Sequence, residues 1–170
     1  AQTLTGNGTA GQGRLPNVVI DKASGTLTLA SIISIDGSGA EWTYTRGTVD
    51  ATTNNSTVVF VDTGTIDGQG TSATMAFDNI QFGTSGTETF TLGGALDVDG
   101  NLTISACTSC TLTTSASNYN INVAGDWLNS GTYTSGSNTT TFDGSGNSLI
   151  TTGGTGTTKD FNNFTVNKTG

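Results

Sequence analysis

Val58-Val59-Phe60-Val61-Asp62-Thr63-Gly64 and Ile80-Gln81-Phe82-Gly83-Thr84-Ser85-Gly86 carry the phrase that decides the fold: alternating apolar residues, then a polar, glycine-rich turn. Alternation sends every second side chain to one face of a strand, and the turn that follows bends the chain at a corner. The phrase recurs at Val18-Val19-Ile20-Asp21, Ile33-Ser34-Ile35-Asp36-Gly37, Leu96-Asp97-Val98-Asp99-Gly100, Asn101-Leu102-Thr103-Ile104, Ile121-Asn122-Val123-Ala124-Gly125, Thr140-Thr141-Phe142-Asp143-Gly144 and Phe164-Thr165-Val166-Asn167. The last apolar residues of the later copies, Phe60, Phe82, Ile104, Val123, Phe142 and Val166, advance by 22, 22, 19, 19 and 24 residues. A period of that size is the mark of solenoid rungs, each unable to bury its apolar face alone. The expected fold is all-β, a parallel β-solenoid (β-helix) of about seven rungs. Periodicity does not separate parallel from antiparallel pairing, so a β-sandwich of pilin type, completed by strand donation, is the rival architecture.

A longer self-similarity overlies the short one. Leu15-Pro16-Asn17-Val18, Phe77-Asp78-Asn79-Ile80 and Phe161-Asn162-Asn163-Phe164 share one pattern; Trp42 precedes Phe77 by 35 residues and Trp127 precedes Phe161 by 34. Thr57-Val58-Val59-Phe60 matches Thr139-Thr140-Thr141-Phe142 between them. This divides the chain into an N-terminal strand or linking segment (1–14), a first β module (15–78) and a second (79–170).

Composition agrees with strands and narrows the function. Of 170 residues 36 are threonine and 25 glycine, and the only glutamates are Glu41 and Glu88, so helix formers are scarce and β-branched residues abundant. Net charge is -8, with Arg14, Arg46, Lys22, Lys159 and Lys168 as the only cations, which leaves no basic patch to neutralise phosphates; nucleic acid is a poor partner. No apolar run approaches the ~18 residues of a spanning helix, so no membrane insertion is expected. A start on Ala1 without methionine suits a processed product or an excised segment.

Candidate sites are few. Cys107-Thr108-Ser109-Cys110 reads as a small local disulfide; a redox motif would require a helix where Thr111-Leu112-Thr113 reads as strand, and zinc would require further soft ligands. Sequons place candidate glycans at Asn7, Asn54, Asn55, Asn101, Asn138, Asn163 and Asn167, although Asn101 and Asn163 equally suit asparagine ladders inside turns. Asp97, Asp99 and Asn101 present oxygens of the kind calcium takes, but without a loop-closing glutamate the aspartates read first as turn formers, so no metal is assigned. Trp42 and Trp127 suit packing first and sugar contact second. The Thr-x-Thr pairs Thr63/Thr65, Thr89/Thr91, Thr111/Thr113, Thr132/Thr134 and Thr155/Thr157 advance by 26, 22, 21 and 23 residues, so on a solenoid they would stack into a ladder able to face ice. No catalytic residue and no cofactor are expected, since a β-helix enzyme needs carboxylates gathered with Arg, Lys or His, and histidine is absent.

Gly94 to Gly170, through Asp99-Gly100-Asn101-Leu102-Thr103-Ile104, Gly125-Asp126-Trp127-Leu128-Asn129-Ser130-Gly131-Thr132 and Phe161-Asn162-Asn163-Phe164-Thr165-Val166-Asn167-Lys168-Thr169-Gly170, resembles repeat regions of very large secreted bacterial surface proteins, the β-helical adhesins of the filamentous-haemagglutinin kind. The first half resembles them more loosely, through Trp42, Gly47-Thr48 and Phe77-Asp78-Asn79, and the Cys107–Cys110 turn departs from their pattern. The resemblance implies an extracellular or cell-surface location and a structural role without an active site. The expected function is a structural subunit or stalk module of an extracellular filament or adhesin, assembling with itself end to end through terminal strands, with glycans as candidate partners; the alternative is an ice- or carbohydrate-binding solenoid module.

Overall fold

The structure, a computed structural model, describes residues 1–69, 74–114, 117–154 and 156–169. Its strands are β1 (Gln2–Thr5), β2 (Val18–Ala30), β3 (Ile32–Ile35), β4 (Gly39–Asp50), β5 (Thr57–Phe60), β6 (Gly64–Asp67), β7 (Asn79–Phe82), β8 (Thr89–Leu92), β9 (Leu96–Val98), β10 (Leu102–Ile104), β11 (Thr111–Thr113), β12 (Ile121–Val123), β13 (Trp127–Asn129), β14 (Thr132–Thr134), β15 (Thr139–Phe142), β16 (Ile150–Thr151) and β17 (Asn163–Val166), with a single 3₁₀ turn at Thr157–Lys159. Among the described residues there is no α-helix. The strands stack in three parallel sheets, β1-β2-β4-β6-β8-β11-β14, β3-β5-β7-β10-β13-β16 and β9-β12-β15-β17. The chain visits the three faces in turn and makes a β-solenoid of about 7 turns. Parallel pairing sets it apart from an antiparallel sandwich.

The first rungs differ in one respect. β2 and β4 are long because each rounds a corner, with register shifts at Ile20/Asp21 and Asp21/Thr26. Beyond the corner Leu27 pairs with Val49, β1 pairs with Leu27–Ala30, the Val49 N–H donates to Thr74 O, and Phe77 bridges to Val98 of β9. The third face therefore runs from β1 to β17.

Inward side chains form columns along the axis. Phe60 lies beside Phe82 and Phe82 beside Ile104, the 22-residue steps of the sequence; Val123 lies beside Phe142 and Phe142 beside Val166. Ile104 and Val123 stand on different faces, so the 19-residue step between them is not a rung. The register partner of Ile104 is Asn129, which is fully buried, and neither polar atom of its side chain has a partner among the described residues. An amide buried without partners costs about 1–3 kcal/mol, so Asn129→Leu is expected to raise stability by about that amount, read from urea midpoints at unchanged m-value; a destabilised variant would show that the amide is satisfied after all.

One core motif occurs twice, on different faces. In the first, Trp42 packs on Phe77 with centroids 5.1 Å apart and on Phe60 at 6.4 Å; in the second, Trp127 packs on Phe161 at 5.0 Å and on Phe142 at 6.5 Å. Trp42 belongs to the first sheet and Trp127 to the second; Phe60 to the second and Phe142 to the third. The second cluster is displaced from the first by one face, and one continuous apolar core runs through both.

Corners are held by side chains that bond to the next rung. Asn101 N–H donates to Asn79 Oδ1 (3.0 Å), Asp126 N–H to Asn101 Oδ1 (2.8 Å) and Leu149 N–H to Asp126 Oδ1 (2.8 Å), a ladder of Asx side chains up one edge. Each bond satisfies a backbone donor that a corner would otherwise leave unpaired.

Candidate functional site: the threonine face, the open terminal rung and the cysteine corner

Outward positions of the first sheet carry two columns of threonine. Thr65, Thr91, Thr113 and Thr134 form one, by the pairings Thr65–Thr91, Thr91–Thr113 and Thr113–Thr134. Thr89, Thr111 and Thr132 form the other, extended by Thr63, whose Oγ1 accepts from the Thr89 N–H at 3.1 Å. The expected ladder is therefore present over four rungs; Thr155 of the fifth pair lies outside the described residues, and Thr157 falls in the 3₁₀ turn. Parallel strands stand about 4.8 Å apart and alternate residues about 6.6 Å apart, which sets the pitch of this hydroxyl lattice. Ala40 sits opposite Thr65 and ends the array.

At the C-terminal end the core lies open. Phe164 stacks on Thr140 and Val166 on Phe142, both inward positions, yet Phe164 is 48% and Val166 60% exposed, with no further rung over them among the described residues. A cleft of about 430 Å³ lies beside them, lined by Phe142, Ser148, Ile150, Val166 and Lys168. Among the described residues the outer edge of β17 is unpaired. At the opposite end β1 offers four residues with an edge unpaired among the described residues, and Leu4 is turned toward the core.

Cys107 and Cys110 are joined as a disulfide. Glu88, on the neighbouring rung, brings Oε2 to 3.1 Å from Cys110 Sγ. Its carboxyl is raised above the usual range by burial first and by Asp62 second. Among the described residues Glu88, Cys107 and Cys110 are the one group of metal-type ligands within 4.8 Å of one another. Glu88 escaped the sequence reading, although it precedes Cys110 by 22 residues, one rung, and that spacing was its signal.

Among the described residues Asp97 and Asp99 belong to no group of three clustered His, Cys, Asp or Glu ligand atoms. Asn101 Oδ1 is taken by the Asp126 N–H. Asp97 is pushed up to about 6 by burial, then by Asp99 and Asp143, and Asp99 is raised by burial and Asp143. Such a run of acids stacked at a corner repels itself, and the protons that relieve it are bound on folding.

Of the sequon residues, Asn7, Asn54, Asn55, Asn101, Asn163 and Asn167 are exposed. Asn138 corrects the expectation: it is buried, and its Nδ2 donates to Tyr119 O and to the Tyr133 hydroxyl. A glycan on that nitrogen would have to break both bonds and open the core. Trp42 and Trp127 are likewise buried, so neither ring meets a sugar in the folded chain.

Glu41 was also missed. It sits at a register shift between Ala40 and Trp42 of β4, fully buried, with Oε1 accepting from the Gly37 N–H at 3.3 Å and Oε2 without a partner among the described residues. Burial above all, with Asp62 and Asp36 nearby, pushes its carboxyl up to about 8.

No protein-family model, curated protein or solved structure matches this chain.

Proposed function

We propose that the chain is a non-catalytic structural module of an extracellular filament or adhesin, stacking end to end on further copies of itself. The observation that carries this reading is the last described rung, where Phe164 and Val166 occupy core columns yet face solvent beside an edge that no described strand pairs. Each apolar side chain of that size is worth about 1.5–3 kcal/mol when removed from water. A parallel strand laid on β17 in register both satisfies the edge and covers the columns, and β1 of a second copy has matching length on the same face, with Leu4 on the core side. All five basic side chains bond within the chain, to Asp36, Gln2, Asp21, Gly131 and Ala124, in keeping with a partner other than nucleic acid. No helix among the described residues is long and apolar enough to cross a membrane. The resemblance to secreted bacterial surface repeats supports the cell-surface setting, and glycans on the exposed sequons belong to the same reading.

Sedimentation velocity across a hundredfold range of concentration, with electron microscopy of the most concentrated sample, tests this. The wild type is expected to form end-to-end oligomers, and Phe164→Asp/Val166→Asp to stay monomeric with an unchanged melting temperature. A wild type that remains monomeric throughout overturns the proposal.

The threonine face favours a second reading, ice or carbohydrate binding. Two in-register columns over four rungs are the supporting observation. Thermal hysteresis that disappears in Thr91→Tyr/Thr113→Tyr would establish it; growth of unshaped ice crystals and no glycan retention would remove it.

A further inference from the structure

The cysteine corner holds more than a cross-link. Cys110 is fully buried and Cys107 partly so, and the glycines around them make room for the ligand atoms. A Cβ on Gly83, which takes a φ of +83°, would overlap both sulfurs, and one on Gly86 would overlap Glu88 Oε1. A carboxylate 3.1 Å from a disulfide sulfur gains nothing from it, because that sulfur carries no proton to donate. With the bond reduced, the same three groups become a soft–hard donor set of the kind zinc takes from proteins, Zn–S about 2.3 Å and Zn–O about 2.0–2.2 Å. Those bond lengths put sulfur and oxygen roughly 3.5 Å apart around a tetrahedral ion, close to the separation already present. Asp62 beside Glu88 and the net charge of -8 favour a dication over a neutral occupant.

We infer that reduction converts this corner into a binding site for a thiophilic divalent cation, held by Cys107 Sγ, Cys110 Sγ and a Glu88 carboxylate oxygen, with water as fourth ligand. The reductant is a dithiol: it delivers two electrons and two protons to the disulfide, leaves as its own cyclic disulfide, and produces two protein thiols. The cation then displaces both thiol protons, which go to solvent, and is held by two thiolates and one carboxylate. The oxidised corner lacks thiolates and binds no such ion, so the site exists only under reducing conditions.

Co²⁺ is the probe. Protein reduced with a trialkylphosphine, which removes the sulfur–sulfur bond as phosphine oxide formed with one water, is freed of reductant under argon and titrated with Co²⁺. Circular dichroism is recorded before and after. The expected result is one ion per chain, an ultraviolet thiolate-to-cobalt band, intense visible bands of a tetrahedral ion, and release of two protons per ion. Glu88→Gln, at a partly exposed position, is expected to weaken binding about tenfold or more, which is about 1.4 kcal/mol or more, while its oxidised form melts no lower than the wild type. Cys107→Ser is expected to remove the ultraviolet band's two-thiolate intensity. Equal binding by the oxidised protein, equal affinity of reduced Glu88→Gln, or a reduced wild type that binds Co²⁺ no better than a reduced peptide spanning 106–112 would each overturn the inference.

Discussion

Phe82→Ala is expected to lower stability by about 3–5 kcal/mol, the cost of emptying a large aromatic site from a core that closes only partly. Phe82 is fully buried in mid-solenoid, stacked on Phe60 with centroids 5.8 Å apart and planes 15° apart, and tilted against Phe90 at 5.5 Å. Its neighbours in the column are Phe60 on one side and Ile104 on the other, so no side chain from elsewhere can slide in without leaving its own rung. At about 2–4 °C per kcal/mol for a chain of this size, the melting temperature should fall by roughly 10 °C. Because each rung touches only its neighbours, amide exchange should accelerate first at Val58–Phe60, Ile80–Phe82 and Leu102–Ile104. Phe82→Leu should cost clearly less. A loss below about 1 kcal/mol for the alanine variant, outside the range for such truncations, would mean that the column is not packed as described.

The second large effect is a pH dependence that runs against the usual behaviour of carboxylates. Glu41 titrates from 4.5 when unfolded to about 8 when folded, so between those values the folded chain holds a proton that the unfolded chain has released. Stability is therefore fully present below pH 4.5, falls as pH rises through the window to about 8, and levels off above it. At about 1.4 kcal/mol per unit the whole fall from this one group amounts to roughly 5 kcal/mol. Asp97, raised to about 6, adds to the lower part of the same window, and Asp78, Asp99 and Glu88 slope in the same direction. Glu41→Gln keeps the shape and an acceptor for the Gly37 N–H but has no charge to expose. The difference between wild type and variant, measured by urea unfolding from pH 5 to 9, should grow steadily to about pH 8 and then hold. Parallel curves would show that Glu41 ionises in place, hydrated or paired.

Much of this architecture was legible because a solenoid writes its register into the sequence. The 22-residue steps from Phe60 to Phe82 and Ile104 are true rungs, and the threonine spacings of 26, 22 and 21 residues became columns. The periodicity stopped short where the chain changes face within a series, since Ile104 and Val123 look equivalent along the chain and stand on different sheets. It also hid the corner-turning strands β2 and β4, whose bulges break the alternation that marks a strand end. Glu41 and Glu88 were overlooked for a related reason: each earns its environment from a residue one rung away, and two isolated glutamates in a polar sequence look like surface. Asn138 shows the reverse error, a sequon that belongs to the core because Tyr133 and Tyr119 engage its amide.

The one-face displacement between the two Trp–Phe clusters would govern how an array that continued it looked from outside. Such an array would not repeat a feature along a single side; each further cluster would be turned by a third of the circumference, so only every third would point the same way. Features borne with every cluster would wind around the shaft as a spiral, and a flat surface pressed against one side would meet them at intervals of three clusters, sparse from any one direction and present in all of them.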